Sequence, residues 1–148
     1  MPASPTSALV VDAGLALVVV LPHPYQERGR HFWQQWLRSP RPLLAPYLWV
    51  SEVTSGLRRA VWENILTAEE ATQALTAALR LPLTFVPDDQ LAPNALAWAQ
   101  RLEQKRAYDA FYVALAEMRG AEFWSADRRV VNALRHQGIT WAHWIGDA

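Results

Sequence analysis

Short apolar runs alternate along this chain with longer stretches of helical periodicity, and this alternation constrains the fold more than any other feature. Apolar runs at residues 9–11, 43–45, 83–86 and 122–125 each predict a short strand, and residues 139–141 predict a last edge strand. Because parallel strands are joined through helices, the alternation predicts an α/β sandwich around a mostly parallel sheet.

Helical patterns fill the intervals between these runs. Thr67 and Glu70 have the spacing of a capping box, and Gly120 follows another helical pattern as a helix-ending residue. The predicted helices cover residues 14–21, 25–38, 46–64, 67–81, 88–105, 108–119 and 127–136. Residues 1–7 are expected to be loose and residues 8–148 to form one domain, since 148 residues is an ordinary length for a single domain.

Composition excludes several classes of protein. The chain has no cysteine, which excludes disulfide scaffolds, thiolate zinc sites and cysteine nucleophiles. Fourteen Lys and Arg residues balance fourteen Asp and Glu residues, so no basic tail indicates a nucleic acid or an anionic membrane. Residues 8–21 resemble a signal-peptide core, but Asp12 interrupts them and no Lys or Arg precedes them. We therefore expect a soluble cytoplasmic protein that does not associate with membranes.

Four acidic side chains are expected to meet at one edge of the predicted sheet. Asp12 ends the first strand, Glu52 lies in the second turn of the helix after the second strand, and Asp127 follows the fourth strand. Asp109 begins a helix that descends roughly 15 Å before the next strand climbs roughly 20 Å, so Asp109 returns to the level of Asp127. In open α/β sheets, sites form beyond the carboxyl ends of the strands. These four acids are therefore candidate catalytic and metal-binding residues.

Each acid also has a structural interpretation that the sequence leaves open. Asp12, Asp109 and Asp127 all stand where a carboxylate favours the start of a helix. Glu52 is open to interpretation as a solvated helix residue, although apolar neighbours on two sides favour a recess. If the four carboxylates converge, their like charges repel unless a cation offsets them. Hard oxygen ligands without thiolates favour Mg²⁺ or Mn²⁺, which indicates phosphoryl chemistry.

Other polar residues fit structural roles better. Asp88 and Asp89 follow a proline where a helix begins, and they are predicted to be helix caps. The four histidines show no metal-ligand spacing and are predicted to be surface or structural residues. No glycine-rich phosphate loop and no Gly-x-Ser-x-Gly motif occurs.

Several segments, in order along the chain, resemble the motifs of one known family. The matching strings are VVDA (10–13), LP (21–22), SEV (51–53), LRR (57–59), YDAFYVALAE (108–117) and SADR (125–128). They resemble PIN-domain ribonucleases, especially the VapC-like toxins of bacterial toxin–antitoxin pairs. The string at 108–117 is the most specific match, and the likeness extends from about residue 8 to residue 136.

This resemblance implies a three-layer α/β/α sandwich with a central parallel sheet. It implies a metal-dependent endonuclease for single-stranded RNA in which Asp12, Glu52, Asp109 and Asp127 hold Mg²⁺ or Mn²⁺. It also implies a homodimer and a cognate antitoxin protein that blocks the site. An activated water would attack an RNA phosphodiester in line, with Glu52 or Asp109 orienting the water.

Three positions depart from the family pattern. The family usually has a hydroxyl or amide residue where this chain has Gly14, often has Lys where it has Val18, and often has Asn where it has Ser55. Groups that surround metal ligands commonly change affinity or activity by 10–100-fold. A catalytically weakened PIN domain that binds RNA or a protein without cutting is therefore the main alternative.

Arginines near the acids are candidate contacts for RNA phosphates. They are Arg58, Arg59, Arg128 and Arg129. Contacts of this kind position a nucleic acid without reading its sequence. The competing interpretation for each arginine is an ordinary solvated helix surface.

Two further interpretations concern aromatic residues and a rival fold. Trp33 and Trp36 are predicted to pack against the body or a second copy, with base stacking and an antitoxin helix as alternatives. A phospho-receiver domain also carries acids at strand ends, but it needs an acid pair after the first strand and a lysine after the last. This chain offers only Asp12 and a single lysine, Lys105, which precedes a helix.

Overall fold

The computed structural model describes residues 7–147, in which five strands alternate with seven helices. The strands are β1 (Leu9–Val11), β2 (Leu43–Pro46), β3 (Leu83–Val86), β4 (Glu122–Ser125) and β5 (Ala142–Trp144). The helices are α1 (Ala13–Val20), α2 (Gln26–Arg38), α3 (Leu48–Trp62), α4 (Ala68–Leu79), α5 (Asp88–Arg101), α6 (Tyr108–Arg119) and α7 (Arg128–His136). The predicted loose segment lies outside the described residues except for Ser7, whose carbonyl accepts a hydrogen bond from Arg41 Nε at 2.7 Å.

All five strands are parallel, in the order β3-β2-β1-β4-β5. The central strand β1 is buried throughout and pairs with both neighbours, placing Val10 opposite Leu44 of β2 and Phe123 of β4. The chain first builds outward from β1 through β2 to β3 and then returns to the other side of β1. The two halves therefore meet between β1 and β4, which is where open α/β sheets place their sites.

Side-chain alternation in β1 produces two hydrophobic cores, one on each face of the sheet. Val10 packs in a core with residues of α3, α5, α6 and α7. Leu9 and Val11 face the opposite way and pack with Trp33 and Trp36 of α2. The predicted three-layer α/β/α sandwich is confirmed, and both tryptophans have the packing role that was predicted for them.

Two helix-end signals in the sequence are confirmed. Thr67 Oγ1 accepts a hydrogen bond from the Glu70 amide at 3.1 Å, and Glu70 Oε1 accepts one from the Thr67 amide at 3.0 Å. This reciprocal capping box starts α4. Gly120 ends α6 in the left-handed region at φ 59°, a conformation that glycine adopts without a steric penalty.

Several element boundaries differ from their prediction, most clearly those of β5, β2 and α5. The last strand begins at Ala142 rather than at residue 139, because the chain needs residues 139–141 to reach the sheet after the turn at Gly138, and Trp141 O then accepts the Phe123 amide at 2.9 Å. Pro46 ends β2 rather than opening a helix, and it pairs with β3. Helix α5 ends at Arg101 rather than at residue 105.

The prediction that Asp88 caps its own helix is wrong. Asp88 lies inside the first turn of α5, and its Oδ1 accepts a hydrogen bond from the Leu48 amide at 3.1 Å. It therefore caps the start of α3, the helix that carries Glu52. Asp89 also lies in that first turn of α5.

Within residues 7–147, no helix combines the length and apolar character needed to cross a bilayer.

The core makes a direct prediction for α6. Leu115 is fully buried, whereas Leu96 of α5 is 57% exposed. We predict that Leu115→Ala lowers the free energy of unfolding by about 2–5 kcal/mol because it leaves a cavity in the core. The matched control Leu96→Ala is expected to change it by about 0.5 kcal/mol or less. Equal effects of the two variants in urea unfolding would contradict this placement of α6.

Candidate active site

Carboxylates from four separate segments line one cavity of about 580 Å³ at the carboxyl ends of β1 and β4. They are Asp12, Glu52, Asp109 and Asp127. Asp12 links β1 to α1, Glu52 lies near the start of α3, Asp109 lies in the first turn of α6, and Asp127 precedes α7. Because β1, β2 and β4 are parallel, the helices that follow them begin at this edge, and Asp109 places the start of α6 there as well.

Asp12 is the most constrained of the four acids. Its side chain is the N-cap of α1, with Oδ1 accepting the Leu15 amide at 2.8 Å, and Oδ2 accepts a short hydrogen bond from the Ser125 hydroxyl. The residue is only 7% exposed. Burial raises the pKa of Asp12 from 3.8 to about 7, outweighing the hydrogen bonds of Ser125, Leu15 and Ala126, which act to lower it. Asp12 is therefore both a structural cap and a carboxyl group that readily holds a proton.

Ser125 connects two of the acids and was not predicted as a site residue. The residue is fully buried at the end of β4, and its Oγ accepts the Asp127 amide at 2.9 Å while donating to Asp12. Asp127 in turn is the N-cap of α7, with Oδ1 accepting the Arg129 amide at 2.9 Å. A small polar residue at the end of a strand beside β1 was the available signal.

Tyr112 holds Glu52 and was also missed. The Tyr112 hydroxyl donates to Glu52 Oε1 at 2.5 Å, and the tyrosine is only 1% exposed. Burial, the charge of Glu52 and this hydrogen bond all raise the pKa of Tyr112, so it remains a donor across the accessible pH range. Burial raises the pKa of Glu52, with the charge of Asp109 adding to the effect. Tyr112 follows Asp109 by three residues, one helical turn on the same face, which was the signal in the sequence.

Asp109 is the electrostatic centre of the group. Burial raises the pKa of Asp109, and the charge of Asp127 raises it further, against a lowering effect of Arg129. The charge of Asp109 in turn raises the pKa of Asp12 and of Glu52. The side chain therefore repels all three of the other acids, as close like charges do in a low-dielectric recess.

The four acids have the donor chemistry that a divalent cation requires. Carboxylate oxygens are hard ligands that suit Mg²⁺ and Mn²⁺, and a cation would offset the repulsion that raises these pKa values. Among residues 7–147, however, no three His, Asp or Glu side chains form a ready-made group that could hold an ion. The chemistry of the donors fits such an ion, and the ligand role of each acid stays a prediction.

Two of the four candidate phosphate contacts follow Asp127 directly. Arg128 lines the cavity, and its Cζ lies 5.0 Å from the centre of the Trp144 ring. Arg129 has a side chain that is 94% exposed, with Nε 3.6 Å from Asp127 Oδ1. The structure thus separates neighbouring arginines that the sequence treated alike.

The other two candidates lie on α3 away from the cavity lining. Arg58 places its Cζ 5.6 Å from the Trp62 ring centre, and Arg59 Nε lies 3.2 Å from Glu63 Oε1. Neither arginine lines the cavity. Their role as phosphate contacts stays a prediction, and both have local partners on their own helix.

The three positions that depart from the family pattern also differ in whether they line the cavity. Gly14 and Val18 both line the cavity, whereas Ser55 is exposed on α3 and does not. A Cβ atom at position 14 would lie 3.6 Å from Asp12 Oδ1, an ordinary contact distance. A hydroxyl-bearing side chain would therefore fit beside Asp12. His23 also lines the cavity, with Nδ1 accepting the Tyr25 amide at 3.1 Å.

The fold and the position of the site define the class of protein. The family model of the PIN domain matches residues 9–135. The chain belongs to the PIN domain family. Within it, the chain is similar to the VapC ribonuclease Mb0985 of Mycobacterium bovis, with 37% identity over 122 residues that cover 82% of this chain and 87% of that protein.

Solved structures share the architecture at much lower sequence identity. PAE2754 from Pyrobaculum aerophilum superposes with a TM-score of 0.69 and 18% identity, covering 95% of this chain and 85% of that one. A toxin–antitoxin complex from Klebsiella pneumoniae superposes with a TM-score of 0.61 and 15% identity, covering 91% of this chain and 95% of that one. At these identities the likeness supports the fold.

The raised pKa of Asp12 predicts how stability depends on pH in the absence of metal. Folding raises this pKa from 3.8 to about 7, so the folded state binds the proton more strongly than the unfolded chain does. The contribution of Asp12 is therefore most favourable below pH 3.8 and is lost as the pH rises to about 7, a decline of about 4 kcal/mol. We predict that Asp12→Asn removes this decline.

The measurement is urea unfolding of the metal-free protein from about pH 4 to about pH 8. The free energy of unfolding of Asp12→Asn relative to the original protein should rise steadily over that interval. The control is Asp89→Asn, which removes an exposed carboxylate and should leave the pH dependence unchanged. A difference between Asp12→Asn and the original protein that is constant with pH would contradict the assignment.

Proposed function

We propose that this protein is a Mg²⁺- or Mn²⁺-dependent endoribonuclease that hydrolyses phosphodiester bonds of single-stranded RNA. The observation that carries the proposal is the meeting of four carboxylates from four segments in one cavity at the switch point of the sheet. The ribonuclease name of the 37% identical Mycobacterium bovis protein supports the choice of RNA.

The chain's own residues divide the work at the cavity. Asp12, Glu52, Asp109 and Asp127 would hold the ion, which when bound lowers the pKa of a water and offsets charge on the attacked phosphate. Ser125 fixes the Asp12 carboxylate, as does the Leu15 amide. Glu52 or Asp109 orients the attacking water. Glu52 is the better placed of the two, because Tyr112 holds one of its oxygens at 2.5 Å.

The proposal extends to the protein's partners and place in the cell. We propose a cytoplasmic toxin that forms a homodimer and is inhibited by a cognate antitoxin protein. The structural relative from Klebsiella pneumoniae is a toxin–antitoxin complex, which supports an antitoxin partner.

Expression of the protein alone should arrest growth, and expression of the Asp12→Ala variant should not. Growth arrest by both proteins would contradict a toxic nuclease activity.

Asp109→Asn tests the catalytic role of the acids. The substitution keeps the size of the side chain but removes the charge that acts on the other three acids, so Mn²⁺-dependent cleavage of single-stranded RNA should fall at least 100-fold. The thermal unfolding midpoint of the metal-free variant should not fall, because a repulsive charge is lost. Asp89→Asn is the control for cleavage. Retained cleavage by folded Asp109→Asn would remove the proposal.

One observation favours a second candidate function, a PIN domain that binds RNA or a protein without cutting RNA. Gly14 and Val18 leave apolar surface in the cavity where the family pattern usually has polar groups. Such a domain would bind Mn²⁺ in calorimetry but yield no product from RNA.

Gly14→Ser distinguishes weakened from lost activity. Because a Cβ atom fits there at an ordinary contact distance of 3.6 Å from Asp12 Oδ1, serine would add a hydroxyl group beside that carboxylate. We predict a rise of roughly 10-fold in Mn²⁺-dependent cleavage. Gly14→Ala is the matched control, since it adds the carbon without the hydroxyl. Equal rates for Ser and Ala at position 14 would show that the missing hydroxyl is not what limits activity.

A further inference from the structure

We propose that Arg128, held against the ring of Trp144, forms a phosphate-binding subsite that places a backbone phosphate of the RNA at the edge of the acidic cavity. This inference rests on the proposed function and deepens it, because it names the group that offsets the negative charge of the substrate and the residue that positions that group.

The charged side chains that line the cavity are mostly acidic. Four carboxylates line it, and within the described part of the chain Arg128 is the only Lys or Arg that does so. RNA brings further negative charge to this recess. Apart from any bound cation, the positive charge that can attract a phosphate to this lining is therefore that of Arg128, whose planar guanidinium can donate two parallel hydrogen bonds to phosphate oxygens.

The Trp144 ring orients this guanidinium. The Arg128 Cζ lies 5.0 Å from the ring centre, within the range of cation–π attraction. Among residues 7–147, no hydrogen bond or ion pair engages the Arg128 side chain, so its N–H groups are free to donate. The contact with Trp144 restrains the guanidinium while its N–H groups stay available, which suits it to bind a phosphate in a fixed orientation.

Trp144 is itself held in place by contacts on several sides. Its indole Nε1 donates to Ala126 O at 3.3 Å, and its amide donates to Asp147 Oδ2 at 3.0 Å. Asp147 also lies 2.6 Å from Arg135 Nη2, and the Tyr25 ring meets the indole edge-on at 5.3 Å between centres. The ring therefore offers a fixed surface, and the entropy lost when Arg128 binds a phosphate is small.

The neighbouring arginine differs in each of these respects. Arg129 is 94% exposed, and its Nε is 3.6 Å from Asp127 Oδ1. Part of its charge is offset by Asp127, and it does not line the cavity. The subsite is thus specific to Arg128.

His23 provides a second donor on the same cavity. Its Nδ1 accepts the Tyr25 amide, so the neutral imidazole carries its proton on Nε2. Tyr25 contacts both the His23 ring, at 5.8 Å between centres, and the Trp144 ring. The same aromatic contacts thus support both phosphate donors.

The experiment measures binding of a fluorescent single-stranded RNA oligonucleotide to the full chain in the Asp109→Asn background, so that the RNA stays intact. Adding Arg128→Ala should weaken binding about 5–20-fold and reduce the slope of log K against log salt by about 0.7, the value for one phosphate on a single strand. Arg119→Ala is the control. It removes the same charge at the end of α6 opposite to Asp109, outside the cavity lining, and should change binding less than 2-fold. Arg129→Ala should weaken it less than Arg128→Ala.

Three further variants test the role of the ring. Trp144→Leu should weaken RNA binding as Arg128→Ala does, while Trp144→Phe retains an aromatic face and most of the affinity. Gly146→Ala must displace the ring, because its Cβ would lie 2.3 Å from Trp144 Cη2. Gly146 itself does not line the cavity. Circular dichroism melts confirm that each variant is folded. Full affinity in folded Trp144→Leu would overturn the positioning role.

The outcomes separate this inference from the proposed function. If the unmodified protein cleaves RNA but Arg128→Ala binds RNA as tightly as Arg119→Ala does, the subsite is wrong and the nuclease proposal stands. If the unmodified protein neither binds nor cleaves RNA, the proposed function fails and takes the subsite with it.

Discussion

Burial of the Asp12 carboxyl group at the end of the central strand is the constraint on which the site depends. The carboxyl caps α1, accepts the Ser125 hydroxyl and lies within the electrostatic reach of Asp109. A charge in this position is poorly solvated, and the hydrogen bonds do not fully offset the cost. The fold therefore maintains a carboxyl group that is unfavourably ionised at neutral pH.

The rest of the architecture keeps this unfavourable group in place. Two hydrophobic cores, one on each face of an all-parallel sheet, fix β1 between β2 and β4. The helices that carry the other acids all begin at the same edge, and Asp88 of α5 caps α3 across that edge. A site of this kind lowers stability locally, and the stability comes from burial elsewhere, as is common where function needs strained or repelling groups.

Much of the fold could be predicted from the sequence because its signals are local. The strands at 83–86 and 122–125, the capping box at Thr67 and the end of α6 at Gly120 all depend on residues within a few positions of one another. The last strand begins three residues later than predicted because apolar and aromatic residues recur along the whole segment 139–144. Only its pairing with β4 sets where the strand begins.

The site was harder to predict in detail because its contacts join distant parts of the chain. The lengths of the strands and helices predict that the acids lie at one edge of the sheet. They do not predict the order of the strands. Ser125 acts on Asp12 across 113 positions, and Tyr112 acts on Glu52 across 60. The different surroundings of Arg128 and Arg129 depend on Trp144. This residue lies on β5, and the pairing of β5 with β4 brings it close to Arg128 at the start of α7.

The central claim is that the buried carboxyl of Asp12 exchanges its proton for a divalent cation. Calorimetric titration of the metal-free protein with Mn²⁺ at about pH 6.5, in buffers of different ionisation enthalpy, tests this most directly. The account predicts binding whose heat depends on the buffer, because most Asp12 side chains at that pH carry a proton that the ion displaces. It also predicts that Asp12→Asn loses this proton release. No binding, or binding with a heat independent of the buffer, would contradict the account.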